Sequence, residues 1–319
     1  MKVLRGIGEL NYSIPHAVVT IGNFDGVHLG HQKIIQLAVE KARSRNGTCV
    51  AYTFRPHPQV ALRPGAYLPL LQTYDEKLES LSAHGVDITV EEPFSREFST
   101  IEPDQFFKKV LLEKLKAEVI VVGYDFAFGR ERHGHLKILE EFCKKSGVEL
   151  IVVQPQQAEE TVVSSSKIRS FLQNGEVDAA HHLLGHPFFY RGIVIKGEGR
   201  GRLLGFPTAN LKLENKLVLP FGVYTTWAIW NGKKIPSVTN IGVRPTFQST
   251  DQELPALVET HLLDTTLDLY GTPLEVQFIS RLRAEKRFSG MDALKAQIAL
   301  DVAEARRILT NSARPLTII

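Results

Sequence analysis

Cysteine is nearly absent from this sequence. Cys49 and Cys143 are the only two in 319 residues. They fit no metal-ligand spacing and cannot make a disulfide framework, which excludes a stapled secreted module and a cysteine-rich zinc domain. Both read as buried small apolar residues in a reducing compartment. Long apolar runs are absent too. No stretch approaches the roughly 18 residues that suggest a membrane span, and no apolar segment follows Lys2 and Arg5 as a signal peptide requires. The expectation is a soluble cytoplasmic protein with no membrane partner. Nor does charge of one sign dominate. Lys and Arg number 38 against 35 Asp and Glu, a net +3, which is too little for a broad nucleic-acid-binding face. No nucleic-acid partner and no obligate protein partner is implied. There is no internal repeat and no low-complexity tract.

What is present suits a globular chain: 43% hydrophobic and 23% charged residues exclude wholesale disorder. The length fits two domains better than one core. In the first half, β-like runs alternate with helical patterns. AVVTIG (17–22), TCVAYTF (48–54), VDITV (86–90), EVIVVG (118–123) and VELIVV (148–153) read as strands. Residues 30–45, 73–85, 102–117 and 135–146 read as helices, the third with proline at its start. This alternation predicts an α/β domain with a parallel sheet and helices on both faces. From about Pro187 the pattern changes to short β-like runs broken by Gly and Pro. WNGKK is a hairpin signal, because Asn-Gly suits a primed turn. A small antiparallel β-barrel closed by an amphipathic helix over 291–309 is expected. The boundary is drawn near Gly185, giving domains 1–185 and 186–319.

The first chemistry-bearing stretch is TIGNFDGVHLGHQ (20–32). It follows the first long strand of a parallel sheet, at the end where ligands bind. Gly22, Gly26 and Gly30 allow close backbone approach. A helix starting near Leu29 offers free N–H groups and a partial positive charge to an anion. His28 and His31, three apart, share one face and suit hydrogen bonding to phosphoryl oxygens. A zinc site would need about four ligands, and no Cys or third His is placed nearby in sequence. A second stretch, SSSKIR (164–169), alone reads as a helix N-cap by Ser164 or Ser165. Its Arg169 would suit a leaving pyrophosphate.

The second half opens with KGEGRGRLLGFPTANL (196–211). Gly197, Gly199 and Gly201 interleave with Arg200 and Arg202, a backbone suited to a polyphosphate. It does not match GxxxxGK[ST], and glycine content alone equally describes a surface loop. Thr208 and Asn210 alternate on the following extended run and so share a face. Two neutral oxygens suit Mg²⁺ that keeps ATP oxygens and waters as its other ligands. Glu259, in VETHLLD within an apolar run, reads either as an ion-pair partner or as a general base for a primary hydroxyl.

GNFDGVHLGH resembles the His-x-Gly-His signature of the nucleotidyltransferase superfamily, and SSSKIR resembles its second marker. FDGVHLGHQ, FRPHP (54–58), VGYDFAFG (122–129) and SSSKIR in this order resemble the bacterial flavin adenylyltransferase module. GRGRLLGFPTANL, GVY (222–224), TNIGVRPTF (239–247), VETHLLD (258–264) and LRAEKRFSG resemble riboflavin kinase. Together they resemble the bacterial bifunctional riboflavin kinase and FMN adenylyltransferase family, over about residues 15–305. The resemblance implies riboflavin, FMN and ATP as substrates, with Mg²⁺ accompanying ATP. It implies catalytic roles for His28, His31 and Glu259, and metal binding by Thr208 and Asn210. ATP or phosphate binding is implied for Gly22, Phe24, Gly30, Ser164, Ser165, Ser166, Arg169, Gly197, Gly199, Gly201 and Arg202. Flavin contacts are implied for His57, Asp125, Arg244 and Phe288, with His57 equally open to a structural role. The sequence departs from the family at Ser166, where Thr is usual, at His135, where an acidic or amide residue is usual, and at Arg287, where Lys is commoner. Two rivals stay open: a nucleotidyltransferase for another phosphate acceptor, and a flavin- or RNA-binding protein that has lost catalysis.

Overall fold

Strands buried on both faces read as unbroken apolar runs rather than as alternation, and Ala17–Ile21 is such a run, buried at every position. The structure, a computed structural model, describes residues 1–63, 65, 68–158, 161–197, 199–213, 216–243, 256–265 and 267–312. The chain divides into two compact units, Met1–Ser165 and Ser166–Ile319. Gly185, where the sequence reading draws its boundary, is the left-handed C-cap of the helix Val177–Leu184.

The first unit is an α/β domain. Its strands are β1 (Lys2–Leu4), β2 (Ala17–Ile21), β3 (Thr48–Arg55), β4 (Ile88–Pro93), β5 (Ala117–Gly123) and β6 (Glu149–Val153). They form one parallel sheet in the order β1-β4-β3-β2-β5-β6. Helices α1 (Leu29–Ser44), α2 (Pro58–Leu62), α3 (Tyr74–Ala83), α4 (Pro103–Phe106) and α5 (Leu136–Ser146) connect them. Two apolar clusters flank the sheet. One packs Val18, Cys49, Ala51 and Val119 against Ile35, Ala38 and Leu81; the other packs Val19, Val50, Tyr52 and Ile120 against Phe106, Leu111 and Leu139. The five long strands lie where the sequence reading expects them. The edge strand β1 is not in that reading, because three residues carry no periodicity. The helix expected over 102–117 starts with Pro103 at its first position, then becomes π-helical over Phe107–Lys114. Both cysteines are buried and free, and burial pushes the Cys49 thiol up to about 12 and the Cys143 thiol to about 11. Such thiols are inert.

The second unit begins with α6 (Ser165–Asn174), shared with the first unit by one residue, and α7 (Val177–Leu184). A closed barrel follows, of β7 (Phe189–Ile195), β8 (Ala209–Leu213), β9 (Gly222–Trp230), β10 (Lys233–Val243), β11 (Ala256–Leu262) and β12 (Pro273–Ala284). The order around it is β7-β8-β11-β10-β9-β12, with all pairs antiparallel. A short helix α8 (Arg200–Leu203) lies between β7 and β8, and α9 (Met291–Ser312) follows the barrel. The expected hairpin is present: Trp230 pairs with Lys233 across Asn231 and Gly232, whose φ angles are 47° and 74°, as a primed turn requires. Buried hydroxyls knit one face of the strands. Thr226 bonds Ser237 and Thr239 at 2.8 Å each, and Thr239 bonds Thr260 at 3.0 Å. Alternation therefore turns the intervening residues Asn240 and Glu259 to the opposite face.

Candidate active sites

Sheet order reverses at β2, which has β3 on one side and β5 on the other. Open parallel sheets bind ligands at the carboxyl ends of strands at this point. The turn Gly22–Val27 leaves it. Phe24, Gly26 and Val27 have φ of 50°, 86° and 35°, left-handed values that the surroundings must hold for the two non-glycine residues. The holding is done at the carbonyls. Thr53 Oγ1 donates to the Asn23 carbonyl at 3.2 Å, Gln72 Nε2 to that of Phe24 at 2.7 Å, Ser165 Oγ to that of Asp25 at 3.0 Å, and Gln32 Nε2 to that of Val27 at 2.9 Å. The Asp25 carboxylate accepts the Leu71 N–H at 3.0 and 3.3 Å. Gly22 and Gly30 make room for rings: a Cβ at Gly22 would meet Phe24 at 3.1 Å, and one at Gly30 would meet His28 at 3.3 Å.

His28 is the N-cap of α1, and its Nδ1 accepts the His31 N–H at 3.3 Å. An accepting Nδ1 places the proton of the neutral ring on Nε2. The two imidazoles stack at 3.6 Å with 16° between planes, and His31 meets the edge of Phe24 at 5.4 Å. The three-residue spacing is thus a cap and the third helical residue, which brings the rings side by side. His31 Nδ1 is buried and has no hydrogen-bond partner among the described residues. Burial, then His28, then Lys77 hold the His31 pKa well below its usual value, so the ring is neutral at pH 7.

The remaining residues singled out in this unit take different positions. His57 is buried as the N-cap of α2: its Nδ1 accepts the Gln59 N–H at 3.2 Å and its own N–H donates to Tyr74 Oη at 2.8 Å. Asp125 follows β5, and its Oδ1 lies 3.2 Å from where a Cβ on Gly123 would sit. Ser164 precedes α6, and Ser165 commits its hydroxyl proton to Asp25. Ser166 and Arg169 lie further along that helix, exposed and half-buried respectively. Thr53, Gln72 and Lys77 were not singled out from sequence. Nothing in a strand or a helix pattern marks a polar residue as the prop of a turn far away in the chain.

In the barrel the register lines up one row of side chains across five strands. Asn210 of β8 pairs with Glu259 of β11, Glu259 with Asn240 of β10, Asn240 with Val223 of β9, and Val223 with Arg283 of β12. All of them line a cleft of about 400 Å³, with Thr208 at its edge. Its far wall is Phe288 and the α9 residues Leu294, Ile298 and Asp301. Arg283 binds Asp301 through two nitrogens, Nε at 3.0 Å and Nη2 at 2.7 Å, and its guanidinium stands 5.7 Å from the Phe288 ring centre. The glycine loop closes the cleft near Asn210. A Cβ on Gly197 would fall 2.3 Å from Asn210 Nδ2, and one on Gly201 2.4 Å from the Phe206 carbonyl. Gly199 has φ of 73°. A second cavity of about 430 Å³ is lined by Arg202, Pro207, Leu262, Leu267, Leu269 and Tyr270, and Thr208 borders it too. Asn240, Arg283 and Asp301 complete the cleft without having been singled out from sequence. Arg244 lies outside the described residues.

Among the described residues, no three His, Cys, Asp or Glu are grouped to hold a metal ion, and no helix is long and apolar enough to cross a membrane. The FAD synthetase family model matches residues 11–167, and the riboflavin kinase family model matches residues 184–309. The bifunctional riboflavin kinase/FMN adenylyltransferase of Bacillus subtilis (strain 168) is 36% identical, over 92% of this chain and 93% of its own. That of Escherichia coli (strain K12) is 37% identical, over 96% of this chain and 97% of its own. A crystal structure described as a macrolide-efflux protein from Streptococcus pneumoniae is 29% identical, with a TM-score of 0.85 over 95% of this chain and 98% of its own. Two family models in series and full-length relatives that unite both activities agree with a parallel-sheet unit followed by a barrel: the chain belongs to the bifunctional riboflavin kinase/FMN adenylyltransferase family.

Proposed function

We propose that the barrel phosphorylates riboflavin in the cleft of Asn210, Asn240 and Glu259, and that the α/β unit adenylylates FMN at the Gly22–His31 turn. The observation that carries the reading is the pair of stacked imidazoles at the start of α1, one with its tautomer set by a cap, beside a turn whose carbonyls are tied back. The Gly22 and Val27 N–H groups are bonded to the Tyr52 and Phe24 carbonyls, so anion binding at this turn falls to the two rings and the start of α1.

In the first reaction the ribityl 5′-hydroxyl attacks the γ-phosphorus of ATP, the bond to ADP breaks, and Glu259 takes the hydroxyl proton. Glu259 is fitted for this by its register beside Asn210, next to Thr208. Those two neutral oxygens suit Mg²⁺, and the ion would spread the charge building on the phosphates. Flavin in the 400 Å³ cleft against Phe288 and nucleotide in the 430 Å³ cavity would meet at Thr208, which borders both. Gly197, Gly199, Gly201 and Arg202 would cover the phosphates.

In the second reaction a phosphate oxygen of FMN attacks the α-phosphorus of ATP, and the bond to pyrophosphate breaks. Phosphate needs no activation to act as nucleophile, so alignment and electrostatics carry the step. His28 and His31 donate to the transferring phosphoryl group. The family resemblance assigns Ser164, Ser166 and Arg169 to the pyrophosphate portion. Phe54, Phe94, Phe98 and Phe126, in ring contact with one another or with Phe128, would give the isoalloxazine an apolar wall. His57 and Asp125 stand at the ends of the neighbouring strands. The cytoplasm as the place of action, free of nucleic-acid and membrane partners, belongs to the same reading. So does a functional boundary near Gly185.

The test is a time course of the purified protein with riboflavin, ATP and Mg²⁺, with flavins separated by chromatography. FMN appearing first and FAD after it supports both sites. FAD formed only from supplied FMN would overturn the barrel half, and neither product from folded protein would overturn both. Gly197→Ala should slow riboflavin phosphorylation roughly tenfold or more, since overpacking costs about 1–3 kcal/mol and the new Cβ would displace Asn210. FAD formation from FMN should stay at the wild-type rate. Steady-state rates for the two reactions check this, and an unaltered kinase would remove Asn210 from the site.

A further inference from the structure

Lys77 sits in the middle of α3, 4% exposed, at a position where an apolar side chain would meet the sheet more cheaply. Its Nζ donates to Thr53 Oγ1 and to the Phe54 carbonyl, both at 3.0 Å. Burying a cation is costly unless it is well compensated, and these two acceptors are neutral oxygens. The nearby Asp25 carboxylate offsets part of that cost. The placement adds a further role: Thr53 Oγ1, which accepts from Lys77, donates onward to the Asn23 carbonyl. Lysine can only donate. It therefore takes the Thr53 lone pair and directs the hydroxyl proton toward Asn23.

We propose that Lys77 is a positioning residue for adenylyl transfer, acting through Thr53 to hold the Gly22–Val27 turn against the reacting phosphates. The inference rests on the reading of that turn as the adenylyl-transfer site. Without Lys77 the Thr53 hydroxyl is free to rotate away and the Asn23 carbonyl loses a directed donor. Phe24 and Val27 would then have one restraint fewer on their left-handed backbones. The charged groups around Lys77 are Asp25 of the turn and Arg55 at the end of β3; the titratable but neutral groups are His31 of α1 and, on its own helix, Tyr74, whose ring centre is 5.2 Å away. Glu91 of β4 lies opposite Thr53 in register and pairs with Arg5 and Arg55. Burial chiefly, opposed by Asp25 and aided by Arg55, brings the ammonium down to about 8. Since only the charged form must donate, the relay weakens as pH rises through that value.

The experiment compares Lys77→Met, Lys77→Arg, Thr53→Val and His31→Ala in the full chain. It measures kcat and KM for FAD formation from FMN and ATP, riboflavin phosphorylation and thermal melting on the same preparations. Lys77→Met and Thr53→Val should lower kcat for FAD formation by about 10–100-fold, the range for partners that orient a reacting group. KM for ATP should move less than kcat, and riboflavin phosphorylation should be unchanged. Lys77→Arg should keep more activity than Lys77→Met and shift the alkaline fall of kcat upward from about pH 8. Valine matches threonine in shape, so Thr53→Val decides the question if Lys77→Met does not fold. A Thr53→Val protein that melts normally and makes FAD at the wild-type kcat overturns the inference. If His31→Ala is also fully active, the reading of the site falls with it; if His31→Ala alone is slow, only the role of Lys77 falls.

Discussion

His31→Ala slows formation of FAD from FMN by about 10²–10³-fold, the loss typical of removing one donor from a preorganised anion site, and leaves riboflavin phosphorylation unchanged. The reason lies in what His31 does and does not hold up. Its ring is part-buried, stacks on His28 and meets Phe24 edge-on, but the α1 cap uses its backbone N–H and the His28 ring. Alanine keeps that backbone N–H. The variant therefore loses the imidazole without losing the helix start. His28→Ala is the poorer probe, because it also removes the cap, at about 1 kcal/mol. Separate rate measurements with FMN plus ATP and with riboflavin plus ATP check the split. Loss of both activities in a folded variant would contradict the assignment of the turn to adenylyl transfer alone.

Glu259→Gln lowers riboflavin phosphorylation by about 10²–10⁴-fold, the contribution of a positioned general base, and leaves FAD formation from supplied FMN intact. Glutamine keeps the size of the side chain and its place in the row between Asn210 and Asn240. Its amide does not accept a proton near neutral pH. The fall should be in kcat, with KM for riboflavin little changed, because the cleft walls at Phe288, Leu294 and Ile298 are untouched. A kinase of wild-type kcat in this variant would leave Glu259 a structural member of the row and require another proton acceptor.

Much of the architecture is legible in the sequence. Ala17–Ile21 and Ala117–Gly123 are apolar runs bounded by Gly, and they are central strands of the parallel sheet. Asn231-Gly232 specified its hairpin because few other residues accept left-handed angles at two successive positions. The edge strand Lys2–Leu4 and the π-helical turns after Phe107 were not legible. The first exists only because β4 offers it an open edge. The second is a choice between hydrogen-bond registers that apolar spacing does not encode.

The sites divide the same way. Glycines, two histidines at a strand end, and Thr208, Asn210 and Glu259 on extended runs were legible as candidates, because each motif lies within one turn or strand; the family resemblance is what joined them to phosphate chemistry. Local sequence thus determined which residue types the chemistry has available, and where along the chain. Only the tertiary structure brought Thr53, Gln72 and Ser165 to the carbonyls of Asn23, Phe24 and Asp25, put Lys77 behind Thr53, and aligned Asn210, Glu259, Asn240 and Arg283 across the barrel. Those pairings depend on sheet order and register. Order and register follow from burying whole faces at once, so no single segment carries them.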